Sequence, residues 1–156
     1  MIYLDNAATT RKKPYSVYAA MMKYSLLMGG NAGRGTNGLS LGGVNTIIST
    51  QESAAKLFDV SDESNVIFTL NATYALNIAI LGTLKPQDHI VVTAMDHNSV
   101  LRPAALHGNY SVATADRYGW VSPLAVRKCI KPETKLVVCT HVSNVCGTLQ
   151  NVTEIA

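Results

Sequence analysis

Three short polar runs each follow an apolar one, and each holds residue types that bind small ligands. In T-L-N-A-T (Thr69 to Thr73), Asn71 is placed to cap a helix whose first turn contains Ala72 and Thr73. Free N–H groups at such a terminus, the helix dipole and the Thr73 hydroxyl suit a phosphate. Simple capping by Asn71 explains the same letters. In M-D-H-N-S-V (Met95 to Val100), His97 stands just past a strand-like run, with Asn98 or Ser99 placed to cap the helix that follows. A histidine there can stack on a planar ring or move protons near neutral pH, or it can be a surface residue in a capping loop. In H-V-S-N-V-C-G-T (His141 to Thr148), Ser143 and Asn144 end another apolar run. The Asn144 amide can donate to a ligand oxygen, and turn chemistry alone also accounts for the run. Taken together, the three runs suggest a phosphate cradle, a ring-stacking group and a hydrogen-bond donor, which is the recognition chemistry of a phosphorylated aromatic cofactor such as pyridoxal 5'-phosphate (PLP).

A fourth motif points elsewhere. Gly33 to Gly38, GRGTNG, matches the dinucleotide-binding spacing G-x-G-x-x-G. That spacing has physical meaning only when a strand enters it and a helix leaves. Here Val17, Ala20, Met21, Tyr24, Leu27 and Met28 recur at helical intervals just before it. The glycines are therefore expected to shape a connection rather than hold a pyrophosphate.

The elements that must position these runs follow from periodicity. Helices are expected over Tyr15 to about Gly30, Leu39–Phe58, after Asn71, from Asn98, and over SPLAVRKCI with Ser122 as N-cap and Pro123 at its first position. A further helix begins after Asn151. Strands are expected at Val66–Thr69, His89–Ala94, Ser111–Ala115 and Lys135–Val142. Alternating strands and helices, with strands apolar almost throughout, predict an α/β fold: a mostly parallel sheet with helices on both faces.

Composition narrows the class. The chain has 156 residues, 47% hydrophobic and 15% charged, enough for about one domain with a real core. Its net charge of +3 is spread rather than gathered into a basic stripe, which argues against nucleic acid. No apolar run approaches membrane-spanning length, and MIYLDNAATT does not read as a signal peptide. Cys129, Cys139 and Cys146 form no CxxC pair, which fits a reducing, cytoplasmic setting. With the four histidines they make no metal-ligand spacing, so no metal site is expected.

YLDNAATT, GNAGRGTNG, VIFTLNATYALNIAI, DHIVVTAMDHNSVLRP and KLVVCTHVSNVCGT, in this order, resemble the N-terminal half of the class V aminotransferases. Within them the chain is most similar to the cysteine desulfurase and selenocysteine lyase branch of fold-type I PLP enzymes. The resemblance implies the first part of the large domain of the PLP-dependent transferase (aspartate aminotransferase-like) fold. It implies an arm, helix and glycine loop over residues 1–38 and the PLP-binding domain from 39 to 156. It also implies roles: Ala72 and Thr73 on the cofactor phosphate, His97 stacked on the pyridine ring and assisting proton transfer, Asn144 donating to the 3-hydroxyl oxygen, and Asn6, Ala7 and Ala8 at the mouth of the substrate pocket. A cysteine- or selenocysteine-like amino acid is the implied substrate, and a homodimer the implied assembly of the full enzyme.

In that family the cofactor-holding lysine comes after the last strand seen here, in a His-Lys pair preceded by an aspartate. This sequence has no His-Lys pair. The chain is accordingly expected to be truncated and inactive alone for want of its Schiff-base lysine. The alternative is a non-catalytic α/β module that binds a phosphorylated small molecule or a partner chain. Cys146 reads as a small filler.

Overall fold

The structure is a computed structural model and describes every residue except Met1, Ala7, Ala8 and Thr36. The chain divides into two compact units, Met1–Phe68 and Thr69–Ala156.

The first unit is helical. α1 (Tyr15–Leu27) is followed by the glycine loop and then α2 (Gly38–Phe58), which is capped by the Asn37 side chain accepting from Ser40 N at 2.9 Å. A helix thus precedes GRGTNG, as expected, and among the described residues no strand runs into it as a dinucleotide site needs. Of its three glycines only Gly35 has a positive φ, +151°, and a Cβ there would meet Ser40 Oγ at 2.8 Å. A Cβ on Gly33 or Gly38 would meet nothing within 4 Å. Of these three, only Gly35 is required by its backbone path and close packing into α2.

The strand expected at Val66–Thr69 does not form. Among the described residues the segment pairs with no strand; Val66 O accepts instead from Gln51 Nε2 at 2.8 Å, and Ile67 and Phe68 are exposed. Strand-type residues become a strand only where a ladder partner is available.

The second unit carries the sheet. α3 (Ala72–Thr83) leads into β1 (His89–Thr93), then α4 (Asn98–His107), β2 (Tyr110–Ala113), α5 (Pro123–Cys129), β3 (Thr134–Val137) and α6 (Val152–Ile155). The sheet is parallel in the order β2-β1-β3. β1 is buried along its whole length, and its alternating side chains divide the core. Ile90 and Val92 pack with Ile80 of α3 and with Val100 and Ala104 of α4. Val91 packs on the other face with Ala113, Val121 and Val126 of α5. Helices therefore cover both faces, as expected for a parallel sheet. At about 25 cal/mol per Å² of apolar area, each such buried valine or isoleucine contributes roughly 1.5–3 kcal/mol. Ser122 caps α5 through its side chain, with Pro123 at the first position, as its sequence predicts.

The strand order fixes where a ligand can go. β1 is central, so the connection through α4 leaves toward β2 on one face and the connection through α5 returns to β3 on the other. The loops after β1 and β3 therefore part from each other at their carboxyl ends, the position where open α/β sheets bind ligands. β3 is shorter than Lys135–Val142: its pairing ends at Val137, with one further bond from Val138 N to Val91 O at 2.8 Å. β2 likewise stops at Ala113, two residues short of the expected end.

Candidate functional site

Asn71 caps α3, its side-chain oxygen accepting from Tyr74 N at 2.9 Å while its carbonyl accepts from Ala75 N at 3.1 Å. Those two bonds use the third and fourth N–H groups of the terminus. Among the described residues, the Ala72 and Thr73 N–H groups and the Thr73 hydroxyl donate to nothing. Ala72 and Thr73 are both exposed at the N-terminal end of α3. Two free N–H groups, a hydroxyl and the positive end of a helix dipole make a donor set suited to a phosphate.

His97 differs from its expected surroundings in one respect. Neither Asn98 nor Ser99 caps α4; His97 does so itself. Ser99 N donates to His97 Nδ1 at 3.1 Å, and the Ser99 hydroxyl lies 2.9 Å from the same nitrogen. A nitrogen that accepts from a backbone N–H carries no proton, so the neutral ring holds its proton on Nε2. The ring is thus pinned by one nitrogen and presents the other, at the mouth of the β1 loop, to solvent or ligand. Histidine is a rare cap by side-chain type, which is why the neighbouring Asn and Ser drew the sequence reading.

Ser143 and Asn144 do not stand at a strand end. They lie in a tight turn, closed by Gly147 N donating to Ser143 O at 3.0 Å and by a bridge between Val142 and Leu149. Ser143 is buried, and its hydroxyl oxygen accepts from Val145 N at 3.2 Å and Cys146 N at 3.3 Å. Asn144 is exposed, and its side-chain amide makes no hydrogen bond among the described residues. Asn6 is exposed in the first unit, its amide donating weakly to Tyr3 O at 3.4 Å; Ala7 and Ala8 lie outside the described residues.

Cys146 is not the small filler its sequence suggests. It is exposed, and its thiol is lowered from the usual range to about 7, first by hydrogen bonding from Ser143 and then from Thr148. Gly119 sits against it with φ +80°, where a Cβ would lie 2.9 Å from the sulfur and 2.8 Å from Met95 Cε. The 141–150 segment is further anchored by buried Gln150, which accepts from Val121 N at 2.8 Å and donates to Gly119 O at 2.6 Å.

One residue inside a quoted run escaped the sequence reading. Asp96 is buried where β1 and β3 separate, and its carboxylate accepts four hydrogen bonds. Threonines ending two apolar runs, Thr93 and Thr140, with an acid beside one of them, were the available signal. Among the described residues, no three His, Cys, Asp or Glu side chains are grouped to hold a metal ion. No described helix is long and apolar enough to cross a membrane.

A three-stranded parallel sheet flanked by helices, with a donor-rich helix terminus at α3 and a histidine pinned just past β1, defines the class as α/β. Similarity to known proteins places it more narrowly. A family model described as aminotransferase class-V matches residues 2–156, and the chain belongs to that family. A probable cysteine desulfurase of Methanothermobacter thermautotrophicus is 33% identical over 159 residues, covering 99% of this chain and 39% of the relative. A second, from Aeropyrum pernix, is 34% identical over 99% of this chain and 39% of its own length. Among solved structures, SspA in complex with cysteine superposes with a TM-score of 0.87 at 25% identity, covering 98% of this chain and 46% of that one. DndA from Streptomyces lividans gives 0.79 at 30% identity, over 99% and 45%. The chain thus spans about two fifths of the length of the curated relatives it matches. Its fold is that of the PLP-dependent transferases.

Proposed function

We propose that this chain forms the phosphate-binding and ring-facing part of a PLP site in a cysteine desulfurase-like enzyme, acting on a cysteine- or selenocysteine-like amino acid. The observation that carries the reading is the set of three unengaged donors at the start of α3: Ala72 N–H, Thr73 N–H and the Thr73 hydroxyl. The relatives' identity as probable cysteine desulfurases, and the cysteine in the SspA structure, support the substrate class. When bound, PLP would supply an electron sink for the amino acid's bonds.

The chain's own residues divide the remaining work. The donors of α3 would hydrogen-bond the phosphate and, with the helix dipole, stabilise its negative charge. The His97 ring, pinned through Nδ1, would pack on the cofactor ring, and Nε2 is the atom at which it would give or take a proton. The unengaged Asn144 amide would donate to the 3-hydroxyl oxygen. Asn6, with Ala7 and Ala8, would line the substrate entrance. Three free cysteines suit a reducing compartment such as the cytoplasm, and a homodimer is the assembly proposed for the whole enzyme.

PLP titrated into the chain and followed by its visible absorbance tests this. Saturable binding, displaced by inorganic phosphate, is expected. Thr73→Val, which removes one donor, is expected to weaken binding about tenfold, the worth of one charge-assisted hydrogen bond. His97→Ser keeps a capping side chain and removes the ring, so it is expected to shift the bound spectrum with little change in melting temperature. Phosphate-insensitive binding, or a Thr73→Val variant that binds as well as the parent chain, would sink the reading.

A further inference from the structure

Asp96 stands at the point where two neighbouring parallel strands stop pairing. Oδ2 accepts from Thr93 N at 2.7 Å and Thr93 Oγ1 at 2.9 Å. Oδ1 accepts from Thr140 N at 2.7 Å and Thr140 Oγ1 at 2.8 Å. Thr93 is the last residue of β1, and Thr140 lies three residues past the end of β3. The last bond between the two strands is Val138 N to Val91 O, and the Thr93 carbonyl, the next acceptor along β1, is taken by Asp96 N at 3.1 Å. The carboxylate therefore replaces the next rung of the ladder. It spans the gap with side-chain atoms and so sets how far apart the two loops diverge.

Only a carboxylate fits this arrangement. Both of its oxygens face N–H and hydroxyl donors, and ionised Asp offers acceptors on both sides, whereas Asn would turn an NH2 toward one pair of donors. Among the described residues Asp96 is the one buried acidic side chain, and no cation contacts it. A buried carboxylate held by neutral donors alone is costly to place, and a change in any of the four bonds is felt by the others. Each of the two loops then carries a residue of the proposed cofactor site: His97 comes directly after Asp96, and Asn144 lies four residues beyond Thr140.

We propose that Asp96 is a positioning residue that clamps the loops after β1 and β3 at a fixed separation, so that His97 and Asn144 address the same cofactor ring. The proposal rests on the PLP reading for its consequence, but the clamp itself can be observed without PLP. The test uses the 156-residue chain labelled with ¹⁵N, comparing the parent with Asp96→Asn and Thr140→Val. Two measurements are made without PLP: the His97 ring nitrogen signals, and amide hydrogen exchange at Thr140 beside Val91 and Val92. A third is PLP affinity.

In Asp96→Asn, Thr140 is expected to lose protection while Val91 and Val92 keep theirs, the His97 ring signals to shift or broaden, and PLP to bind about tenfold more weakly. Thr140→Val removes a single donor and is expected to move the same signals less. Should Asp96→Asn lose protection throughout β1, Thr140→Val decides alone. Unchanged His97 signals and Thr140 exchange overturn the clamp. If the parent chain does not bind PLP, the cofactor reading fails, while the ring signals and exchange still decide whether Asp96 positions His97.

Discussion

Cys146 shows how far a side chain's chemistry can depart from its letter. The sequence offers a cysteine two residues past an asparagine, and nothing in that spacing distinguishes a reactive thiol from an inert one. The fold supplies the difference by closing a turn over Ser143. The Ser143 oxygen already accepts two backbone N–H bonds, leaving its own proton free to donate toward the sulfur. Thr148 adds to the effect through its hydroxyl and its backbone, the hydroxyl also donating to Tyr118 O at 2.6 Å. Cys139 goes the other way: burial, and then the Asp96 charge, raise its thiol. Alkylation with iodoacetamide, followed by mass spectrometry across pH, is expected to modify Cys146 with a midpoint near pH 7 and Cys139 only at clearly higher pH. Ser143→Ala is expected to move the Cys146 midpoint upward. Equal rates at the two cysteines at neutral pH would contradict this account.

At the scale of elements, β1 explains which sequence signals could be read and which could not. Its apolar letters announced a buried parallel strand, and it is one. Its first residue, His89, gave no such signal, yet it is fully buried and joins all three strands. Nδ1 lies 2.8 Å from Thr134 Oγ1 on β3, and Nε2 lies 2.9 Å from Ser111 Oγ on β2. Both hydroxyls can accept or donate, so the neutral ring is satisfied on each side. Burial, and then the nearby Lys131 charge, lower the His89 pKa from 6.5, with Glu133 opposing and His107 adding slightly. The unfolded chain therefore takes up a proton at a higher pH than the folded one. Stability from this site is full above about pH 6.5 and is lost as pH falls through 6.5 toward the lower native value. Urea denaturation at pH 7.5 and pH 5.5 is expected to show the loss, and His89→Gln to reduce the difference between the two. A parent chain equally stable at both values would remove His89 as a cause. The unread parts share this origin. His89, Asp96 and Ser143 act through partners 22 to 45 residues away or through a turn that forms only in the fold, and no local pattern encodes those meetings. Val66–Thr69 failed as a strand for the same reason in reverse: its local pattern was right, and no partner strand meets it.

For the whole molecule, the decisive property is apolar surface rather than charge. In the second unit α3 turns Tyr74, Ile78 and Leu81 outward beside Thr73 and Asn77, while its inner side packs through Ile80. The edge strands each have one partner, and Tyr110 and Val112 of β2 and Val137 of β3 are exposed. A net charge of +3 on 156 residues gives weak mutual repulsion. Contiguous exposed apolar faces of this kind drive association in soluble proteins, and open parallel edges add to it. Multi-angle light scattering on the eluting 156-residue chain is expected to give a mass that rises with concentration above 16.7 kDa. Ile78→Lys combined with Leu81→Lys is expected to lower that mass without unfolding the sheet, since neither side chain belongs to the buried clusters on β1. PLP affinity in the same double variant separates the two uses of α3: its N-terminal donors are untouched, so phosphate-dependent binding should persist while association falls. A mass fixed at 16.7 kDa over a hundredfold range of concentration would show that the outer face of α3 does not drive association.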